Sequence, residues 1–184
     1  MALVKMKKLL DQAETEGVGI GAFSVGNMEM IMGAVQAAEE LQTPIILQIA
    51  EVRLKNSPLE FVGPMMVSAA QKAKVDIAVH LDHGLTMETV KAALNMGFTS
   101  VMLDASTSPF EENISKTQEV VQLAKTFGAT VEAELGLVGG SEDGSSDRGI
   151  NCTNPSDAKV FVEQTGIDAL AIAIGNAHGN YPVA

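Results

Sequence analysis

Residues 80–85 read His-Leu-Asp-His-Gly-Leu. Two imidazoles bracket a carboxylate where a short apolar run, residues 75–79, gives out and a helical pattern begins. Ionisable groups in such a place are costly to desolvate unless they bind something. Imidazole is the usual neutral ligand for zinc and related metals, and a neighbouring carboxylate can orient a ring or carry a proton. His80, the last residue of the apolar run, reads as a histidine of the core. His83, beyond it and followed by glycine, reads as a ligand.

Other polar groups stand at the ends of other apolar runs. Asp104 closes the run at 99–104 and Glu134 the run at 129–134. Both could cap the next helix; facing one shared mouth, they would need a cation beside them. His178 lies between Gly175 and Gly179, which let the backbone approach a ligand closely. Residues 136–149 form a long acidic Gly/Ser-rich segment, readable as a surface loop or as a lid carrying Glu142 or Asp143. No lysine falls at a strand end, so Schiff-base chemistry has no candidate. Neither a serine–histidine pair in a strained turn nor a G-x-G-x-x-G after a first strand occurs, which weakens hydrolase and dinucleotide-binding readings.

These groups need elements to hold them. Apolar runs at 17–24, 44–49, 75–80, 99–104, 129–134 and 167–174 have strand length and little polar alternation, the pattern of strands buried on both faces of a parallel sheet. Amphipathic helical segments at 28–42, 86–97, 108–128 and 154–166 lie between them, with Thr86 as an N-cap, prolines at 109 and 155, and glycine stops at 97, 128 and 166. Leu3, Met6, Leu9 and Leu10 recur at helical spacing before the first strand. Six βα units fit a (β/α)8 barrel or an open doubly wound sheet. Chemistry-bearing residues at four strand ends favour the barrel, where every strand end faces one mouth. The expectation is an α/β fold, an incomplete TIM barrel forming a single domain over residues 1–184 without strands seven and eight.

Composition sets limits. The 184 residues are 46% apolar and 19% charged, enough for one packed core. A formal charge of −11 excludes nonspecific nucleic-acid binding, which needs a basic face. No apolar run approaches the length of a membrane span, and neither a secretory signal nor a second cysteine to pair with Cys152 is present, so a cytoplasmic setting is expected.

Five ordered stretches, "GAFSVGNMEM", "HLDHG", "SVMLDAS", "VEAELGLVGGSEDG" and "AIAIGNAHGNY", resemble the class II, metal-dependent ketose-bisphosphate aldolases. The resemblance implies cleavage of a ketose 1,6-bisphosphate to dihydroxyacetone phosphate and an aldehyde phosphate through a zinc-stabilised ene-diolate. It makes His83 and His178 two of the catalytic zinc's ligands, and Asp104 and Glu134 a second cation position or an alternative resting site for the zinc. Asp82 becomes the proton carrier for the hydroxyl at the cleaved bond, and Glu142 the base acting on the ketose. Asn27 and Gly179 fall to substrate binding, Gly179 also to a monovalent cation. A homo-oligomer, dimer or tetramer, is implied, with a phosphosugar as the small-molecule partner and no nucleic-acid or membrane partner. Ala50 departs from the pattern: fructose-bisphosphate enzymes often place a serine there, near the aldehyde's phosphate, so a tagatose-type or other ketose stays open. A catalytically incomplete barrel fragment and a metal-dependent sugar-phosphate isomerase are the alternatives.

Overall fold

The computed structural model describes residues 2–140 and 149–179. Six strands form one sheet, β1 (Gly21–Ser24), β2 (Ile45–Ala50), β3 (Ile77–Gly84), β4 (Ser100–Leu103), β5 (Thr130–Leu135) and β6 (Ala169–Ile172). Neighbours in space follow the order of the chain, and every pairing is parallel. An open doubly wound sheet reverses its strand order at a switch point. Unbroken sequential order is that of a barrel, and the sheet is a curled half-barrel, an incomplete TIM barrel.

Helices α1 (Met6–Glu16), α2 (Met28–Leu41), α3 (Leu59–Lys72), α4 (Met87–Met96), α5 (Phe110–Phe127) and α6 (Pro155–Thr165) complete the units. Leu47, Ile49, Val79, Leu81 and Val101 face outward and pack with Val62, Met66, Val90 and Val120 from the helices. The opposite face lines the lumen. There α1 closes the N-terminal end, with Met6 and Leu9 against Ile46 and Ala78. Ala78, His80 and Asp82 therefore climb the lumen at alternate positions of β3, from an apolar floor to a polar mouth. Among the described residues no helix is long and apolar enough to cross a membrane.

Three elements differ from the sequence reading. Strand β1 starts at Gly21 because Gly17, at φ 67°, is the left-handed cap that ends α1, and residues 18–20 form an irregular connection. Helix α3 escapes the periodicity because Pro64 lies inside it; Gly63 beside it packs against the Met96 and Phe98 side chains. Strand β3 continues to Gly84, so Asp82 and His83 belong to the strand rather than to the loop beyond it.

Candidate metal and catalytic site

A bulge shapes the site. The pairing of β3 with β4 shifts register between Leu81 and Gly84. His83 sits in the bulge at φ 39°, a left-handed conformation that costs energy in a non-glycine residue. Successive strand residues normally face opposite sides. The left-handed residue breaks that alternation, and His83 Nε2 comes within 3.9 Å of Asp82 Oδ1 on the lumen side. Gly84 is required next: a β-carbon there would collide with the Met102 carbonyl oxygen of β4.

Around His83 the strand ends deliver carboxylates. Nδ1 donates to Asp104 Oδ2 at 3.0 Å and lies 3.9 Å from Glu134 Oε2. Asp104 also accepts from the Ser106 N–H at 3.0 Å and hydroxyl at 2.6 Å. Ligand atoms of His83, Asp104 and Glu134 all lie within 4.8 Å of one another. Asn113 of α5 holds the Glu134 backbone by donating to its carbonyl at 2.9 Å.

His178 arrives from beyond β6. Its N–H donates to the Gly139 carbonyl at 2.8 Å, and Gly139 donates to the Asn176 carbonyl at 3.3 Å. Gly140, at φ 75°, permits this tether, since a β-carbon there would lie 2.8 Å from the His178 carbonyl oxygen. The rings of His83 and His178 stand 5.0 Å apart between centres, at 78°. Two imidazoles on one tetrahedral ion, each bound at about 2.1 Å, have ring centres roughly 5 Å apart.

The charges show what this cluster requires. Burial opposes a charged His83, yet the Asp104 hydrogen bond and the Asp82, Asp104 and Glu134 charges outweigh it and push the imidazole up to about 9. Burial would likewise raise Asp104, but the hydrogen bonds from His83 and Ser106 hold it far below the usual carboxylate range. Glu134 is raised, by burial first and then by Asp104. Three carboxylates thus share one imidazolium, a site that demands positive charge. Histidine and carboxylate donors together suit zinc and similar divalent ions, so the residues fit such an ion.

Asp82, 8% exposed, accepts from Gln48 Nε2 at 2.8 Å, and the same amide reaches Ser24 Oγ at 3.3 Å. Gln48 was not singled out from sequence, although it is the one polar residue of β2 and its position faces the lumen. His80 is fully buried, with Nδ1 2.8 Å from Ser100 Oγ. Its Nε2 lies 3.3 Å from Glu132 Oε2 without the alignment of a hydrogen bond. Burial first, then His83, lowers His80 to about 3; burial, then Asp82, raises Glu132 to about 7. Asn27 caps α2, its side-chain oxygen accepting from the Met30 N–H at 2.8 Å. Gly179 follows His178 at φ 88°. Glu142 and Asp143 lie outside the described residues.

The family model for fructose-bisphosphate aldolase class-II matches residues 4–184. The chain belongs to the class II fructose-bisphosphate aldolase family. A fructose-bisphosphate aldolase of Giardia intestinalis is 46% identical over 182 residues, 98% of this chain and 56% of that protein. One from Thermus caldophilus is 45% identical over 181 residues, 97% of this chain and 59% of that protein. The crystal structure of the YdjI aldolase from Escherichia coli K12 superposes with a TM-score of 0.87 at 41% identity, covering 96% of this chain and 64% of that one. The chain therefore spans less than two thirds of the length of each of these relatives.

Proposed function

We propose that the protein is a metal-dependent aldolase that cleaves a ketose 1,6-bisphosphate into dihydroxyacetone phosphate and an aldehyde phosphate. The observation that carries this reading is the convergence of His83, Asp104 and Glu134 within 4.8 Å, with the His178 ring 5.0 Å from that of His83. His83 and His178 would hold the divalent ion. Asp104 would fix the His83 ring through Nδ1, leaving Nε2 for the ion, while Glu134 offsets its charge. The bound ion would act as a Lewis acid on the ketone.

The remaining work falls to the chain's own residues. In cleavage the bond between C3 and C4 breaks, and its electron pair stays with the ketone fragment. The C4 hydroxyl gives up its proton and becomes the aldehyde carbonyl. Asp82 takes that proton; Gln48 holds Oδ2, and Oδ1 faces the His83 side of the mouth. The ketone fragment gains one proton at C3 to become dihydroxyacetone phosphate, and the resemblance assigns that exchange to Glu142. The left-handed His83 matters here because it lets the proton carrier and the metal ligand, adjacent in sequence, address one substrate.

Cleavage of ketose bisphosphates by the metal-loaded protein, measured with and without a chelator, tests the reading. Activity should vanish with the chelator and return with zinc, and borohydride should trap no adduct. Chelator-resistant turnover would reject the metal mechanism, and an isomerised but uncleaved product would move the protein to sugar-phosphate isomerisation.

A further inference from the structure

The left-handed turn at His83 needs support on both sides. A non-glycine residue at φ 39° relaxes unless the surrounding chain holds it. On the N-terminal side the sheet does this: Leu81 is in register with Val101 of β4, and Asp82 with Ala50 of β2. On the C-terminal side the Gly84 carbonyl accepts from the Asp104 N–H at 2.8 Å. Beyond Gly84 the strand gives out, and Leu85 and Thr86 lie between β3 and α4.

One side chain takes both of their N–H groups. Glu51 Oε2 accepts from the Leu85 N–H at 2.6 Å and from the Thr86 N–H at 3.1 Å, and Oε1 accepts from the Thr86 hydroxyl at 3.1 Å. Glu51 is the first residue after β2, the strand whose Gln48 holds Asp82. Strand β2 and its end therefore grip β3 twice: an amide holds the Asp82 carboxylate, and a carboxylate holds the backbone past His83. We propose that Glu51 is a positioning residue for the metal ligand, locking the chain after Gly84 so that His83 keeps its left-handed turn and its place beside Asp82. The proposal rests on the metal-dependent aldolase reading, which is what makes His83 a ligand.

A carboxylate near the start of α4 also stabilises a helix, a role unrelated to His83. The contacts separate the two roles. Helix α4 already has its cap, since Thr86 Oγ1 accepts from the Thr89 N–H at 3.1 Å. The shortest Glu51 contact is to Leu85, outside the helix and one residue past Gly84. Leu85 is 47% exposed, so water can satisfy its N–H at little cost to stability. Water cannot replace the tie to β2, which joins positions 34 apart in the chain.

Four variants test this. Glu51→Ala removes all three hydrogen bonds. Glu51→Gln keeps an oxygen for both N–H groups. Thr86→Ala removes the cap of α4 and leaves Glu51 on both N–H groups. Glu51→Asp withdraws the carboxylate by one methylene, so the outcome can be read even where Glu51→Ala does not fold. In the metal-free protein the three-bond HN–Hα coupling of His83 reports its φ. It should hold its wild-type value in Glu51→Gln and Thr86→Ala, and move toward that of an extended residue in Glu51→Ala and, in smaller measure, in Glu51→Asp. Zinc titrated against a chelating dye should bind Glu51→Ala about 10–100-fold more weakly, and Glu51→Gln and Thr86→Ala much as the wild type. With zinc saturating, kcat for ketose-bisphosphate cleavage should fall by about 10–100-fold in Glu51→Ala with KM little changed, and Glu51→Gln should recover most of it. Wild-type coupling and zinc affinity in whichever of Glu51→Ala and Glu51→Asp fold overturn the proposal while the aldolase reading stands. So does a Thr86→Ala protein that loses as much zinc affinity as Glu51→Ala, which would make helix capping the cause, or a Glu51→Gln protein no better than Glu51→Ala. If coupling and affinity change as expected but even the wild type cleaves no ketose bisphosphate, the positioning role stands and the aldolase reading falls.

Discussion

His80 and His83 are three residues apart on one strand, and the protein treats them in opposite ways. His80 lies in the lumen above the apolar floor set by α1, packed against Ser100, and burial drives its imidazole down to about 3. His83 is also largely buried, yet it is held up to about 9. Burial penalises the charged form of both rings. The difference is the company. Among the described residues His80 meets the Ser100 hydroxyl and the carboxyl group of Glu132, itself raised to about 7. His83 sits at the mouth, where the ends of three strands bring Asp82, Asp104 and Glu134 around it. One ring is part of the packing; the other is set among three carboxylates at the mouth. Depth along the lumen, and the bulge that turns His83 inward, separate the two roles.

The sharpest way to break this contrast is to remove each ring. His83→Ala should strip the metal and lower turnover by about 10³-fold or more, as read by metal content and cleavage rate. His80→Phe should keep the metal and cost about 1–3 kcal/mol of stability, through the buried Ser100 hydroxyl left with only the weak Met6 sulfur acceptor. Equal metal loss in both variants would erase the distinction.

Asp82→Ala should come next in size, with turnover falling by about 10²–10⁴-fold while the metal stays bound. Loss of metal in that variant would make Asp82 a ligand or the residue that orients one. Gly140→Ala probes the far side of the site, where the added methyl would press on the His178 carbonyl. Metal affinity should weaken by about 10–100-fold, a loss typical when a ligand's support is removed.

The smallest effect is the pH dependence of the metal-free protein, and its sign differs between the rings. A raised imidazole binds its proton more tightly in the folded chain. His83 therefore stabilises fully below its ordinary value of 6.5 and loses that contribution as pH climbs toward about 9. A lowered imidazole does the reverse, so His80 costs stability as pH falls from 6.5 toward about 3. Denaturation midpoints of the wild type minus those of each single variant, taken across both windows, should slope in opposite directions.

Much of this was legible in the sequence. Runs of strand length separated by capped helices give six parallel strands in order, because cap and stop residues act locally: Thr86, Pro155, Gly97 and Gly128 all mark ends where the structure has them. Residue types at strand ends pointed to one mouth. What pattern could not supply is three-dimensional in origin. The bulge at His83 depends on how β3 pairs with β4, which periodicity does not carry. Gln48 was hidden as a single polar residue in an apolar strand, and its partner Asp82 lies 34 positions away. Helix α3 was lost to Pro64, a residue whose penalty is read locally but met here by tertiary packing. Glu51 follows β2 directly, and only the fold brings it to the Leu85 and Thr86 N–H groups.

The central claim is that one divalent ion is shared by His83 and His178 and ignored by His80. The chain has three histidines, so 15N-histidine labelling gives each ring its own signals. Titrated with zinc, the His83 and His178 imidazole signals should shift together and saturate at one equivalent, with His80 unmoved. A shift at His83 alone, saturation only at two equivalents, or movement of His80 in step with the others would contradict the account.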